Sequence, residues 1–180
     1  MNILAITGSP KEESSSKTLL QCFLEGAKGH EVRIIDAYHP MVSPCVACGA
    51  CSKEPRLCVQ QDQMQQYYQD LAWADVIVVA TPMYYNSVPA PLKAFVDRTM
   101  CLFAKRFYHG EKADKKRKGY LLLTCGSFDM KAVACVESQI KQMFDVCWAK
   151  FAELKVAVNM DKVSNFDKIK EDAYLLGKSL

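Results

Sequence analysis

Four cysteines stand close together in Pro44-Cys45-Val46-Ala47-Cys48-Gly49-Ala50-Cys51 and, six residues later, Cys58. The spacing is C-x2-C-x2-C-x6-C. Four thiolates this near can enclose one metal centre, and the small residues Ala47, Gly49 and Ala50 let the backbone wrap around it. Cys45, Cys48 and Cys51 match the spacing of bacterial ferredoxins, but Cys58 comes late and no proline follows it. Zinc competes for the same ligands. A structural loop that holds no metal is the third reading.

A second cluster of chemistry lies in Thr7-Gly8-Ser9-Pro10-Lys11 and the run Ser14, Ser15, Ser16. Hydroxyls ahead of a helix make an anion site, because the first N–H groups of a helix have no carbonyl partner and its dipole favours negative charge. Lys11 adds a positive charge. The loop is not a dinucleotide fingerprint, because Gly8 has no glycine partners at that spacing. It is not a P-loop, because Glu13 stands where a glycine is required. The plain alternative is a strand, a turn and a capped helix. A third stretch, Thr81-Pro82-Met83-Tyr84-Tyr85-Asn86-Ser87, offers flat aromatic surface, backbone groups and an amide. These suit the apolar face and polar edge of an isoalloxazine, or simply the packing of a loop.

The elements that must hold these residues follow from periodicity. Ile3 to Ile6 is a short apolar run suited to a strand buried on both faces. Leu19, Leu20, Phe23, Leu24 and Ala27 recur at helical spacing after the serines, so one serine is expected to cap that helix. Glu31 to Asp36 is a second strand, and 37–59 a long loop with three prolines and four cysteines. Loops of that length are usually functional. Asp62 is expected to cap a helix that runs through Trp73, and Asp75 to Ala80 is a buried strand. Leu92, Phe95, Val96, Thr99 and Phe103 mark one helix. Lys105 to Lys118 is a basic connection, read as a solvated surface loop, with attraction of a phosphorylated nicotinamide nucleotide as the weaker idea. Tyr120 to Thr124 is a fourth strand. Val133 to Cys147 is a helix, 151–159 a last strand, and Phe166 to Lys178 a closing helix.

Strand and helix alternate five times, which demands a parallel sheet with right-handed crossovers. The expected class is α/β, a flavodoxin-like three-layer sandwich with a five-stranded parallel sheet in the order 2-1-3-4-5. Residues 1–180 are expected to form a single domain. In such sheets a ligand sits beyond the carboxyl ends of the strands, at the switch point between strands 1 and 3. The loops at Ser9, Pro82 and Cys125 all end there.

Composition excludes other classes. Half of the 180 residues are hydrophobic and the net charge is +3, which argues for neither nucleic acid nor membrane partners. No apolar run approaches the ~20 residues of a spanning helix. No basic and apolar leader precedes Ile3, so a cytoplasmic protein is expected. Nine cysteines, an odd count, argue against a disulfide framework there. Cys22, Cys101, Cys135 and Cys147 lie in apolar helical patterns and are expected to be buried.

The three loops together resemble those of the NAD(P)H-dependent FMN reductase family. Gly8-Ser9-Pro10-Lys11 with its serine run is similar to the family's phosphate loop. Thr81 to Ser87, with Leu92-Lys93-Ala94-Phe95 and Asp97-Arg98, is similar to its second flavin loop and helix, and Thr124-Cys125-Gly126-Ser127 to its third. The resemblance implies FMN phosphate at Ser9, Lys11, Ser15 and Ser16. It implies the flavin ring against Pro82, Met83, Tyr84, Tyr85, Asn86, Ser87, Cys125 and Gly126. The family often has Arg where Lys11 stands and Asn-Thr where Ser15-Ser16 stand. The cysteine motif resembles that of the iron–sulfur flavoproteins, a branch of the family, and implies a 4Fe–4S cluster on Cys45, Cys48, Cys51 and Cys58. Cluster-free relatives also carry a similar cysteine run followed by Asp-Asp-Met, here Asp62-Gln63-Met64.

The implied activity is transfer of electrons from NADH or NADPH through FMN to a quinone, flavin, dye or protein. No side chain is expected to act as acid or base, since the chemistry belongs to FMN N5. Two rivals stand beside it: a non-enzymatic FMN or iron–sulfur electron carrier, and a zinc-stabilised interaction module. Relatives imply a homodimer or homotetramer.

Overall fold

The computed structural model describes residues 1–126, 129–160 and 165–180. Five strands, β1 (Asn2–Thr7), β2 (Glu31–Asp36), β3 (Val76–Pro82), β4 (Arg117–Thr124) and β5 (Ala149–Ala157), form one parallel sheet. Its order is β2-β1-β3-β4-β5, the flavodoxin-like order expected from the alternation of elements.

The side-chain period of two divides the sheet into two faces. Leu4, Ile6, Ile77, Val79, Leu121 and Leu123 share one core. That core is covered by α3 (Met64–Trp73), α4 (Ala90–Arg98), α5 (Met100–Phe107) and α6 (Met130–Val146). Ile3, Ala5, Val76, Val78, Ala80 and Leu122 share the other, beneath α1 (Ser15–Gly26) and α7 (Phe166–Lys178). The middle strands are apolar on both sides because both sides are covered. Helices α1 and α7 cross backbone to backbone at Gly26 and Gly177; a Cβ at either would run into a carbonyl oxygen, of Tyr174 or of Phe23.

The register brings the chemistry to one edge. Thr7 lies opposite Ala80, and Pro82 opposite Thr124. Strands β1, β3 and β4 therefore release their loops side by side at the carboxyl edge.

Several expectations need correction. The helix expected from Leu92 to Phe103 is two helices, broken at Thr99. There Thr99 Oγ1 bonds back to the Val96 carbonyl at 2.7 Å, and the Leu102 N–H turns to the Thr99 carbonyl. Such local side-chain bonds compete with helical ones. The loop at 37–59 carries a short helix, α2 (Ala50–Lys53). The strand expected at 151–159 begins at Ala149, directly after Trp148 turns the chain through a left-handed φ of 52°.

The basic stretch is not simply a solvated loop. Lys116 and Lys118 are exposed, but Arg117 opens β4 and is buried. Its guanidinium bonds the Ala72 and Ala74 carbonyls at the end of α3 and forks onto Asp114. Lys115 bonds the Trp73 carbonyl and Asp75. Both cations complement the negative end of α3. Cys101 and Cys147 are buried as expected, whereas Cys22 is half-buried and Cys135 exposed. Cys135 sits off the Val133, Val136, Ile140 stripe that faces the core.

Candidate functional site: a hydroxyl-lined cleft beside a cysteine cavity

The loop after β1 is anchored by its glycine. Gly8 N–H bonds the Ala80 carbonyl at 2.9 Å. A Cβ on Gly8 would lie 2.6 Å from Leu92 Cδ2 and 2.7 Å from Thr81 Oγ1. The glycine is therefore required by close approach to β3 and α4. The loop then closes on itself, Ser9 Oγ accepting from the Lys11 N–H at 3.4 Å.

Ser14 is the N-cap of α1. It is extended (φ −151°, ψ 151°) and its Oγ accepts from the Lys17 N–H. That leaves the N–H groups of Ser15 and Ser16 at the head of the helix without intrahelical acceptors. Ser9 and Ser16 are buried, at 2% and 1% exposure. Among the described residues the Ser9 hydroxyl accepts a bond but has no acceptor for its own proton.

These groups line one cavity of ≈ 400 Å³ at the carboxyl edge of the sheet. Ser9, Lys11, Ser15 and Ser16 form one wall. Pro82, Met83, Tyr84, Cys125 and Gly126 form the other, with Thr124 and Met160. Glu13 also reaches the rim and opposes the charge of Lys11; both are exposed. Buried hydroxyls and free helix N–H groups are the donor set that a phosphate dianion requires, so the residues present fit an FMN phosphate.

Tyr85, Asn86 and Ser87 do not line the cavity. Tyr84 and Ser87 exchange both backbone hydrogen bonds at 2.9 Å, and Tyr85 (φ 48°) and Asn86 (φ 61°) are both left-handed. This is a tight two-residue hairpin of type I′. Asn tolerates that conformation, but a tyrosine there is strained. The hairpin lifts Tyr85 fully into solvent and leaves Tyr84 partly exposed at the cavity. Ser87 Oγ instead donates to Gln139 of α6 at 3.1 Å.

Cys125 is buried, its thiol donating to the Ala157 carbonyl at 3.6 Å. Burial pushes its pKa up, which suits a wall residue and not a nucleophile. Among the described residues no histidine lines the cavity. Ser127, expected in the third loop, lies outside the described residues.

Cys45, Cys48, Cys51 and Cys58 line a second cavity of ≈ 270 Å³ with Arg98, Met100 and Cys101. Ala47 (φ 50°) and Gly49 (φ 72°) are left-handed and curl the chain around it. Gln65 Nε2 donates to the Cys58 carbonyl at 2.8 Å, and His109 bonds the Cys51 carbonyl at 3.0 Å. Burial raises the pKa of Cys51. A backbone N–H opposes this, while Cys45, Cys48 and Cys58 add to it as neighbouring charges. All nine cysteines are free thiols. Among the described residues no three His, Cys, Asp or Glu side chains converge on a single-ion site. The four thiols border one cavity, and thiolates are the ligand type of both zinc and iron–sulfur centres.

Arg98 closes this cavity and is 1% exposed. Its Nη1 donates to Asp62 Oδ2 at 2.7 Å and to the Ser43 carbonyl at 2.8 Å, and its Nη2 to Asp62 Oδ1 at 3.0 Å. Its Nε is buried with no partner among the described residues. Asp62 is expected to cap α3; the N-cap position is instead Gln63, which makes no side-chain cap bond, while Asp62 Oδ1 accepts from the Met64 N–H one residue further out. The pairing with Arg98 was missed. A signal existed in the apolar stripe of α4, Leu92, Phe95 and Val96, which leaves an arginine at its inner end in need of a carboxylate.

The sequence model described as NADPH-dependent FMN reductase matches residues 1–162. The chain belongs to this family. An iron-sulfur flavoprotein of Methanosarcina thermophila is 37% identical over 129 residues, covering 71% of this chain and 64% of the relative. One from Methanocaldococcus jannaschii is 32% identical over 108 residues, covering 58% and 54%. This FMN reductase family member thus matches less than two thirds of those relatives' length. Its fold is that of an NAD(P)H:quinone oxidoreductase from Methanothermobacter marburgensis, at TM-score 0.72 and 20% identity over 99% of this chain and 94% of the other. An azoreductase from Bacillus anthracis superposes at TM-score 0.71 and 15% identity over 99% of both chains.

Proposed function

We propose that this family member is an FMN-dependent oxidoreductase that takes electrons from NADH or NADPH and passes them to a quinone, flavin, dye or protein acceptor. The observation that carries the reading is the cavity at the carboxyl edge, walled by Ser9, Ser15 and Ser16 on one side and Tyr84 and Cys125 on the other. Bound there, FMN would supply hydride acceptance from the nicotinamide and electron donation to the acceptor.

The chain's own residues bind and orient. Ser9, Ser15, Ser16 and Lys11 would hold the phosphate at the N-terminus of α1. Pro82, Met83, Tyr84, Cys125 and Gly126, on the wall facing the serines, would lie against the flavin. Tyr85 and Asn86 shape the hairpin, and Ser87 ties it to α6. No side chain is assigned as acid or base.

Cys45, Cys48, Cys51 and Cys58 are read as ligands of a 4Fe–4S cluster, supported by their cavity and by the iron-sulfur flavoprotein names of the relatives. A cluster would supply one-electron steps between flavin and acceptor. Residues 1–180 are read as one domain, assembled as a homodimer or homotetramer in the cytoplasm. No described helix is long and apolar enough to cross a membrane. Light scattering after gel filtration measures the assembly.

Anaerobic, FMN-reconstituted protein should oxidise NADH or NADPH in steady state with a quinone or dye acceptor. An electron carrier would show a single turnover only, and a zinc module would bind no flavin.

A further inference from the structure

We propose that Arg98 is a positioning residue for the cysteine cavity, a fixed positive charge whose Nε–H serves a sulfur of the bound cluster and whose field sets the cluster's reduction potential. The proposal rests on reading Cys45, Cys48, Cys51 and Cys58 as cluster ligands.

Three observations carry it. Arg98 lines the cavity of the four cysteines, whereas its partner Asp62 does not. The ion pair therefore presents its positive end to the thiols. The guanidinium is locked from behind: Asp62 takes both Nη groups and the Ser43 carbonyl shares one of them. Nε is buried and has no partner at all among the described residues. A buried donor left unpaired is costly, and native structures seldom keep one without a use. An apolar residue would fill the same space between α3 and α4 at no such cost. The cysteines that line the same cavity offer it sulfur acceptors.

The electrostatic consequence has a definite sign. Four thiolates make the bound group anionic, and each added electron makes it more so. Net charge, hydrogen bonds to sulfur and solvent exposure are what set such potentials. A buried guanidinium favours the reduced state, and the Asp62 carboxylate behind it weakens that effect. Removing the two charges must shift the potential in opposite directions. A purely structural role for the pair would move both variants the same way or neither.

The test compares wild type, Arg98→Gln, Arg98→Lys and Asp62→Asn after anaerobic reconstitution. Iron and sulfide are assayed, and the cluster potential is read by a redox titration followed by electron paramagnetic resonance. Arg98→Gln should disfavour reduction about tenfold, about 59 mV for a one-electron couple. Asp62→Asn should favour it, and Arg98→Lys should restore much of the wild-type value. Iron in the wild type with unmoved potentials in the variants, or shifts of one sign in both Arg98→Gln and Asp62→Asn, overturns the role of Arg98 alone. Wild type without iron or sulfide overturns the cluster reading and this role with it. If Arg98→Gln does not fold, Asp62→Asn decides: a rise supports the proposal, and no change or a fall overturns it.

Discussion

Asp62 and Arg98 meet fork to fork, 2.7 Å from Oδ2 to Nη1 and 3.0 Å from Oδ1 to Nη2, across 36 residues of chain. The pair joins the start of α3 to the end of α4 and fixes the floor of the cysteine cavity. Burial alone would raise the Asp62 carboxyl. The Arg98 fork, with the N–H groups of Ser43 and Met64, outweighs it and holds the pKa below the ordinary value.

That direction gives a pH prediction. A carboxylate depressed in the folded state contributes stability above its unfolded pKa of about 3.9, and loses it as pH falls through the lower folded value. Asp62→Asn should therefore flatten the acid limb of the stability curve below about pH 4. Asp62→Ala should cost about 3–5 kcal/mol near neutrality, because it strands a buried guanidinium. Urea titrations at a series of pH values measure both; an unchanged acid limb would argue against the pair.

Ser9 and Ser14 have separable roles. Ser14→Ala removes the N-cap of α1 and should lower stability by about 1 kcal/mol in flavin-free protein. Ser9→Ala should leave that stability nearly unchanged and weaken FMN by about 1.5–3 kcal/mol, as for a hydrogen bond to a charged group. Calorimetric FMN titration and thermal melts separate them. Equal FMN affinity in Ser9→Ala and wild type would remove Ser9 from the phosphate site.

Adjacent tyrosines also divide. Tyr84→Ala should weaken FMN, whereas Tyr85→Ala should not, because only Tyr84 lines the cavity. Tyr85 stands left-handed at φ 48°. Tyr85→Gly should be more stable than Tyr85→Ala by about 1 kcal/mol, since glycine takes that conformation freely. Flavin loss from both alanine variants alike would place the ring elsewhere.

Gly8 is the strictest position of the phosphate loop. Gly8→Ala must push the loop from Leu92 and Thr81, costing about 1–3 kcal/mol as overpacking does. FMN affinity should fall with it. A variant that retains both would mean that the loop adjusts without moving the serines.

The sheet was legible because its signals are local. Apolar runs such as Ile3 to Ile6 and Asp75 to Ala80 have few alternatives, and their alternation with helices leaves one topology. The serine cap was legible for the same reason. What escaped depends on contacts distant in sequence. Arg117 lies in the stretch that reads as a solvated basic loop, yet β4 carries it under the end of α3. Thr99 broke a helix through its own hydroxyl, which periodicity does not register. Tyr84 and Tyr85 are parted by a left-handed hairpin, which their adjacency in the sequence does not register. Cys135 was misplaced because an apolar neighbourhood was taken for an apolar face.

The cysteine reading has its own check. Anaerobic wild type should hold about four irons and four sulfides per chain, as this cluster type requires. Cys48→Ala should hold fewer. Equal uptake by both would return the cysteines to a structural loop.

The most direct test of the central claim is the identity of the bound flavin. Purified protein, reconstituted with a mixture of FMN and FAD and washed free of excess, is acidified, and the released cofactor is separated by chromatography. A phosphate site at the head of α1 with no dinucleotide glycine pattern predicts FMN, at about one per chain. Release of FAD, or of no flavin at all, would contradict the account.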